Sequence, residues 1–361
     1  MVSTTSSSSP VIQTLVLLLS LPVLFFFLAP HFLLTRQTVS LPRDEMEDLF
    51  LFQKAVAMDT ANYFRGLTRL PAAKYRLSSA IRRPKIAFLF LTNSDLQFAP
   101  LWERFFSNAS VNQYNIYIHA DPFVKISPLE GEFKDRIIPS KRTERSSPSL
   151  ISAARRLLAS AMLDDPANTY FAVISQHCIP LHSFSYFYSF LFDLGRLSRN
   201  LRFSSYIEIL DKEPTLWDRY NARGENAMLP EVNFEEFRVG SQFFVLTRKH
   251  ALMVIKDRKL WRKFKLPCLN EHSCYPEEHY FPTMLSMQDP SGCTHYTLTR
   301  VNWTNSVNGH PHTYYPPEVS PELIHTLRKS SSSYSYMFAR KFSPDCLNPL
   351  MEIAESVIFK D

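Results

Sequence analysis

The hydrophobic residues of the first half of the chain form short continuous runs that alternate with amphipathic stretches. Helical patterns cover 98–109, 147–163 and 183–193. Three apolar runs suit strands that are buried on both faces. These runs are KIAFLFLT (85–92), YNIYIHAD (114–121) and TYFAVISQHCIPL (169–181). The alternation of strand and helix predicts an α/β domain with parallel strands in its sheet and helices on both faces.

The second half of the chain continues this pattern with shorter elements around a polar loop that reaches about residue 237. The predicted strands are 205–210, 241–248, 296–303 and 335–342. The predicted helices are a basic helix through Phe264 and the stretches 276–288, 320–329 and 346–358. No internal repeat interrupts the series, so we predict one domain over residues 84–361.

The longest apolar run lies near the start of the chain. Residues 11–34 carry no charge, and about 20 apolar residues suffice for a membrane-spanning helix. Its length and the lack of a small-x-small cleavage site favour an uncleaved signal anchor over a cleaved signal peptide. The sequence therefore predicts a cytosolic tail (1–10), a transmembrane helix (11–34) and a stem (35–83). No lysine or arginine precedes the segment, so charge does not decide its orientation.

Composition and charge narrow the classes of ligand. The 361 residues include only 7 glycines and no glycine-rich phosphate-binding motif. The net charge of +6 suits an anionic ligand, but lysine and arginine are scattered along the chain. Nucleic-acid binding is therefore poorly supported.

Cysteines and glycosylation sequons agree with a secretory-pathway protein. Cys268 and Cys274 are close enough to close a small disulfide loop, although buried free thiols are an equally good interpretation of the five cysteines. No C-x-x-C motif indicates zinc. Sequons begin at Asn108 and Asn302, and such triplets also arise by chance.

Polar side chains follow the first three predicted strands, at the sheet edge where such folds bind ligands. The strands end near Thr92, Asp121 and His177. Asp121 suits a hydrogen bond to a base or ribose, and it equally suits a turn before Pro122.

Two adjacent acids, Glu277 and Glu278, follow Pro276 at the start of a predicted helix. Acids in a first turn interact well with the helix dipole, so a solvated helix start explains them without any chemistry. One of them could instead be a general base, and neighbours on a helix diverge by about 100°, so only one would point into a site. Adjacent carboxyls do not have the geometry of a retaining glycoside hydrolase.

The segment FARKFSP (338–344) brings Arg340 and Lys341 out of a predicted strand. Alternation would place them on opposite faces of the strand. One of them could then neutralise a ligand phosphate, and the alternative is a solvated strand end. His310-x-His312 lacks a visible third ligand, and no D-x-D motif occurs. We therefore predict no metal site.

Six motifs in order carry a resemblance to a known family. They are KIAFLFLT, YNIYIHADP, ANTYFAVISQHCIPLHSF, FRVGSQFFVLTRKHA, CYPEEHYFPT and FARKFSP. Together they resemble the core-2/I-branching β-1,6-N-acetylglucosaminyltransferase family (glycosyltransferase family 14), in its plant-type form. The resemblance covers about 84–358. It implies a GT-A-type fold with a Rossmann-like mixed sheet, a type II Golgi membrane protein, and metal-independent inverting transfer from a UDP-sugar.

The resemblance also assigns roles to individual residues. Glu278 matches the second acid of the Pro-acid-Glu motif and becomes the catalytic base, while Glu277 takes the place of a variable acid. The predicted donor-site residues are Asp121, Lys341, Arg328, Thr92 and His177. Lys341 and Arg328 would meet the diphosphate and Asp121 would lie near the uridine. The predicted acceptor contacts are Glu208, Trp217 and Arg219.

The chain departs from the common family pattern near the expected donor site. It has SAARRLL where DAERRLL is frequent, and SQHC where a Ser-Glu-Ser run is frequent. The predicted function is transfer of N-acetylglucosamine, xylose or glucuronic acid to a glycan or glycoprotein hydroxyl, in plant cell-wall or arabinogalactan synthesis. The alternative is a non-catalytic Golgi carbohydrate-binding or scaffold protein that retains the fold.

Overall fold

The computed structural model describes residues 43–67, 83–193, 203–304, 306, 309–331 and 334–361. The chain divides into two compact units, residues 1–47 and 48–361. The predicted transmembrane segment 11–34 lies outside the described residues. Of the helices that the structure does describe, none combines the length and apolar character needed to cross a membrane.

Strands and helices alternate as the sequence predicts. The strands are β1 (Lys85–Thr92), β2 (Tyr114–Ala120), β3 (Asn168–Ser175), β4 (Ile179–Pro180), β5 (Ser205–Glu208), β6 (Val245–Thr247), β7 (Cys293–His295), β8 (Thr299–Val301) and β9 (Phe338–Arg340). The α-helices are α1 (Arg43–Leu67), α2 (Ala99–Ser107), α3 (Pro148–Asp164), α4 (Phe184–Phe192), α5 (Leu216–Tyr220), α6 (Arg248–Lys256), α7 (Lys259–Phe264), α8 (Glu271–Cys274), α9 (Pro276–Gln288), α10 (Pro321–Arg328) and α11 (Leu347–Glu352). The chain ends in a π-helical turn, Ala354–Ile358.

The main sheet of the described region has six strands in the order β2-β1-β3-β6-β5-β7. The first three strands pair in parallel, and β6 pairs antiparallel with both β3 and β5. The sheet is therefore mixed, with a parallel half that carries the predicted ligand-binding edge. This mixed α/β architecture is consistent with the predicted GT-A-type fold.

Both faces of β1 are buried, which is why its sequence is continuously apolar. Phe88 and Phe90 point into one hydrophobic core, which also contains Phe106 of α2 and Phe133. The centre of the Phe106 ring lies 5.0 Å from that of Phe88 and 6.4 Å from that of Phe133. Leu89 on the other face packs in a second core with residues of α3, α6 and α9. The predicted helices on both faces of the sheet are confirmed.

The predicted third strand, 169–181, is wrong in its extent. Strand β3 stops at Ser175, where a turn closes through the hydrogen bond from the Cys178 amide to the Ser175 carbonyl (3.0 Å). The apolar residues after the turn, Ile179 and Pro180, form β4 of a second sheet. Continuous hydrophobicity cannot show such a change of sheet, because both halves are equally buried.

The basic helix predicted through Phe264 consists of two helices. They separate at Asp257, whose carboxylate accepts hydrogen bonds from the backbone amides of Lys259, Leu260 and Trp261 at 2.9–3.1 Å. Satisfying the free amides of a helix start in this way makes Asp257 a natural boundary. Strand 241–248 is likewise shorter than predicted, since only Val245–Thr247 pairs in the sheet.

A second, three-stranded sheet in the described region has the order β4-β9-β8. Strand β9 pairs antiparallel with β4 and parallel with β8. The turn between β3 and β4 joins the edge of the main sheet to this small sheet. Residues that follow β3 and β9 are thereby brought together.

Part of the predicted stem packs against the domain. Residues 48–67 belong to helix α1 and to the larger compact unit. Asp48 accepts two hydrogen bonds from Arg156 of α3, at 2.6 and 2.7 Å, and Phe52 is buried. Asp59 pairs with Arg248 at 2.7 Å. The compact unit therefore begins before residue 84, the predicted start of the domain.

Candidate active site

Helix α9 presents the adjacent acids. Cys268 and Cys274 form a disulfide just before this helix. This confirms the small disulfide loop, which was one of the two interpretations of the cysteines. Tyr275 then adopts a left-handed conformation (φ 36°), and Pro276 begins the helix. The chain therefore turns sharply just before α9, and the first turn places Glu277 and Glu278 at a cavity.

Two cavities meet at Glu278. One, of about 340 Å³, lies at the ends of β1 and β3 and is lined by Thr92, His177 and Lys341. The other, of about 500 Å³, is lined by Glu208 and Arg219. Glu278 lines both cavities. Five further residues line both: Gln242, Phe243, Trp303, Gly309 and Arg340. We call the first the strand-end cavity and the second the outer cavity.

Glu278 is held by one cation and partly shielded from solvent. Its Oε2 accepts a hydrogen bond from Arg219 Nη1 at 2.9 Å, and its side chain is 30% exposed. Burial raises the pKa of Glu278, while the charges of Arg219, Arg340 and Arg145 oppose the rise. A raised carboxylate pKa is suited to a general base.

Three cations line the strand-end cavity, together with the acids Glu144, Glu277 and Glu278. Arg145, Arg340 and Lys341 all line it. Burial lowers the pKa of Lys341, and repulsion from the two arginines lowers it further. Burial likewise lowers the pKa of Arg340, whose guanidinium lies 4.3 Å from the centre of the Phe243 ring. Cations held against their mutual repulsion are prepared to bind an anion.

The predicted alternation of Arg340 and Lys341 is wrong, since both residues line the strand-end cavity. Strand β9 ends at Arg340. The two-residue period applies only within a strand, so it does not extend to the following lysine.

Arg328 does not reach either cavity. It lies at the end of α10, where its guanidinium donates to the carbonyls of Leu181, Val357 and Ile358 at 2.7–3.0 Å. These bonds tie the C-terminal π-helical turn to the segment between β4 and α4. Arg328 therefore bonds within the fold, and Arg340 is the arginine that lines the strand-end cavity together with Lys341.

Thr92 and His177 lie in the wall of the strand-end cavity, as expected for strand-end residues. The amide of Ser94 donates to Thr92 Oγ1 at 3.1 Å, which shapes the turn after β1. His177 Nδ1 lies 3.3 Å from the Phe342 carbonyl. Burial lowers the pKa of His177 to about 4, helped by Lys341 and Arg340, so its ring is neutral at pH 7.

Asp121 takes the turn role that its sequence context allowed. One carboxylate oxygen accepts from the Phe123 amide at 2.9 Å, and the other accepts from the amide and hydroxyl of Thr143 at 2.8 and 2.9 Å. Burial would raise the pKa of Asp121, but these bonds outweigh it and lower the pKa. Asp121 thereby holds the segment that places Thr143 and Arg145 in the strand-end cavity.

The predicted acceptor residues separate into two places. Glu208 and Arg219 line the outer cavity, whereas Trp217 lies on a different surface cleft. The Ser241 amide donates to Glu208 Oε2 at 3.0 Å. Neighbouring Gly240 approaches so closely that an added Cβ would lie 2.0 Å from the Glu208 carbonyl oxygen. Its amide donates to the Glu278 carbonyl at 2.9 Å, so a side chain here would disturb both acids.

Glu277 is buried, contrary to the solvated helix start that explained it without chemistry. It is 4% exposed, and its Oε1 accepts from the Ser146 amide at 3.3 Å. No described residue hydrogen-bonds its Oε2. Burial raises the pKa of Glu277 to about 8, and the charge of Glu278 adds to the rise. At pH 7 Glu277 is therefore mostly protonated.

Replacing Glu277 by glutamine should make stability less dependent on pH. The folded pKa of about 8 exceeds the unfolded value of 4.5, so the folded state binds the extra proton between these values and loses stability as pH rises through them. Relative to the parent, we expect Glu277→Gln to gain a few kcal/mol in free energy of unfolding from pH 5 to pH 8. Urea unfolding at both pH values measures this. An unchanged difference between the two proteins would show that Glu277 is ionised in the fold.

The histidine pair does not converge on one point. Arg145 Nη1 lies 2.6 Å from His310 Nε2, while His312 Nε2 lies 2.7 Å from Glu318 Oε1. Within the described ranges, no group of three or more His, Cys, Asp or Glu residues is placed to hold a metal ion. Metal independence stays a prediction.

Both sequon asparagines lie in the described region. Asn108 is exposed at the end of α2. Asn302 is half-buried, and its Oδ1 accepts from the Thr304 amide at 3.0 Å. Their glycosylation stays a prediction.

Sequence reasoning missed three residues of the site: Arg145, Gln242 and Trp303. Arg145 follows β2 in an irregular segment, and Gln242 precedes the paired part of β6. Neither position carries a local signal. Trp303 is 53% exposed and lines both cavities. An exposed tryptophan in a cavity wall is a signal of a binding site. This signal could not be used, because the sequence alone does not show which side chains are exposed.

Comparison with known proteins agrees with the resemblance of the ordered motifs. A family model described as Branch: Core-2/I-Branching enzyme matches residues 86–328. The curated protein Glycosyltransferase BC10 of Oryza sativa subsp. japonica is 28% identical over 309 residues, which cover 72% of this chain and 74% of the rice protein. Because the family match extends over more than half of the 361 residues, the chain belongs to the Core-2/I-branching family of glycosyltransferases.

Proposed function

We propose that this protein transfers a sugar from a UDP-sugar to a hydroxyl of a glycan or glycoprotein, with inversion at the anomeric carbon and without a metal ion. The donor class is N-acetylglucosamine, xylose or glucuronic acid. The acceptors belong to plant cell-wall or arabinogalactan glycans. The observation that carries the proposal is the position of Glu278, in the wall shared by the strand-end and outer cavities.

The strand-end cavity suits the donor. Its three cations, Arg145, Arg340 and Lys341, complement a diphosphate. Fixed cations stabilise a leaving group without reorganisation at the moment of reaction. Arg340 and Lys341 would therefore take the role that a divalent metal has in many sugar transferases.

The outer cavity suits the acceptor. Glu208 supplies a carboxylate there. Burial and the charge of Glu278 raise the pKa of Glu208, and the hydrogen bond from the Ser241 amide lowers it by less. Trp303 lies between the cavities and offers an aromatic surface. Carboxylates and aromatic faces are groups that recognise hydroxyls and apolar sugar faces.

The reaction then follows from the two positions. Glu278 Oε2 is engaged by Arg219, and no described hydrogen bond occupies Oε1, which is available to take the proton of the acceptor hydroxyl. The acceptor oxygen attacks the anomeric carbon as the bond from that carbon to the diphosphate oxygen breaks. The diphosphate keeps the electron pair beside Lys341 and Arg340, and UDP leaves.

A panel of UDP-sugars with glycan acceptors, scored by UDP release, tests this function. We expect release with one donor class, dependent on an acceptor and unchanged by chelation. Loss of all transfer on chelation, restored by manganese, would overturn the metal-free mechanism. UDP binding without release in any acceptor pool would support a non-catalytic carbohydrate-binding or scaffold protein instead.

We further propose that segment 11–34 anchors the protein in the Golgi membrane with its C-terminal domain in the lumen. The support is the uncharged length of the segment and the two sequons that follow it. Protection of the C-terminal domain from protease in sealed Golgi vesicles would test the orientation. Digestion without detergent would contradict it.

Replacing Arg219 by methionine should move the acidic limb of the pH–rate profile upward. Arg219 stabilises the ionised form of Glu278 through its charge and hydrogen bond, so its removal raises the pKa of the base. At a fixed acidic pH a smaller fraction of the enzyme then carries an ionised base. The measurement is kcat against pH, and Arg219→Lys should fall between the two proteins. An unmoved limb would mean that another group sets it.

A further inference from the structure

A separate cleft opens on the surface around Trp217. Its volume is about 550 Å³, and it is lined by residues of α5 and of the loop after it. The indole is 57% exposed. Burying a tryptophan side chain is strongly favourable. A tryptophan that stays half exposed in a cleft therefore indicates that a ligand covers it.

The indole is held in place by aromatic neighbours. Phe234 meets it edge-on, with ring centres 4.8 Å apart, and Tyr220 stacks beside it at 6.0 Å with an interplanar angle of 26°. Tyr220 is itself buried, and its hydroxyl donates to the Val232 carbonyl at 2.8 Å. The exposed aromatic surface is thus preorganised, which reduces the entropic cost of binding.

The rim of the cleft is polar, with glutamate and asparagine side chains among its described lining residues. Glu225, Asn226 and Glu235 are exposed, and no described partner engages their side chains. Asn221 uses its Nδ2 on the Trp217 carbonyl at 3.2 Å, which leaves its Oδ1 available. Lysine and arginine are absent from the described lining, so phosphates and other anions are disfavoured. Free carboxylates and amides beside a flat aromatic face match a neutral polyol.

One short helix connects this cleft to the reaction site. Helix α5 carries Trp217 on the cleft, and Arg219 two residues later holds Glu278. Residues two apart on a helix point about 200° apart, so the two side chains lie on opposite sides of α5. The sites are then separated by about the width of a helix with its side chains, ~10–12 Å.

We infer that the Trp217 cleft binds a neutral saccharide, with a sugar ring stacked on the indole and its hydroxyls on Glu225, Asn226 and Glu235. The saccharide is a part of the acceptor glycan distant from the hydroxyl that reacts at Glu278. This last step rests on the proposed function, whereas saccharide binding at the cleft does not.

Binding of neutral oligosaccharides to full-length protein carrying Glu278→Gln tests the inference without turnover. Cello-, xylo-, β-1,3-galacto- and chito-oligosaccharides of increasing length are the probes, with a lysine-rich peptide as a cationic comparator. We expect at least one oligosaccharide series to bind, and Trp217→Ala to weaken its binding about tenfold, which corresponds to ~1.4 kcal/mol. Trp217→Phe should retain part of the affinity.

Phe50→Ala is the matched control, since Phe50 is 68% exposed on α1 and should have no effect. Equal oligosaccharide affinity with and without Trp217, or Trp217-dependent binding of the peptide alone, would overturn the inference. If transfer is found, parent protein should show a KM that falls with acceptor length, and Trp217→Ala should lose this trend. Trp217-dependent binding without any transfer would uphold the cleft and reject the proposed function.

Discussion

Replacing Glu278 by glutamine is expected to lower kcat by about 10²–10⁴-fold, the usual contribution of a positioned general base. Glutamine keeps the size of the side chain and its hydrogen-bonding capacity but cannot take the acceptor proton. The carboxylate occupies the wall common to both cavities, so no other described carboxylate has the same access to donor and acceptor. Single-turnover transfer measures the chemical step directly.

Glu277→Gln is the matched control for this change. It alters the adjacent residue in the same way, and we expect less than a tenfold loss, because Glu277 is already mostly uncharged at pH 7. UDP affinity should change little in Glu278→Gln, since the base does not hold the diphosphate. Near-normal transfer by folded Glu278→Gln protein would reject Glu278 as the base.

Replacing Lys341 by methionine is expected to lower kcat/KM by about 10²–10³-fold, the range for losing one preorganised group that stabilises developing charge. Lys341 lines the strand-end cavity beside Arg340 and Arg145. Methionine fills similar space without the charge, so the diphosphate loses one of its cations both in binding and as it leaves. Transfer kinetics together with calorimetric UDP titration separate these two contributions.

Lys329→Met is the control for net charge, since Lys329 is exposed just after α10 and lines neither cavity. It should leave both measurements unchanged. Lys341→Arg should recover part of the loss. Equal UDP affinity and equal kcat/KM in Lys341→Met and parent protein would place the diphosphate elsewhere.

The fold followed from local patterns wherever burial is uniform. The strands β1 and β2, helix α3 and the helix that begins at Pro276 all lie within one or two residues of their predicted positions. These elements have continuous apolar runs or clear start signals, such as Ser147, which caps α3. The predicted strands 241–248, 296–303 and 335–342 each contain an observed strand of only three residues, and β7 was missed. Three paired residues leave no period to detect.

The site divides in the same way. Glu278 and Lys341 were chosen by motif, and the structure brings both to the strand-end cavity. The choice of Arg328 failed because an arginine in a helical last turn looks the same whether it binds a phosphate or three carbonyls. The sequence likewise did not show that Asp121 would bind Phe123 and Thr143, or that Trp217 would line a separate cleft.

What the sequence alone determined is therefore the order of the elements, the family and the motif that holds the acid pair. The tertiary structure decided the burial and the charged neighbours of each of the two acids. Glu277 is enclosed and gains a raised pKa, while Glu278 is partly open and meets Arg219 from α5, 59 residues earlier in the chain. Local sequence cannot carry this distinction, because the pKa of a carboxyl depends on burial and on charges that only folding brings within a few ångströms.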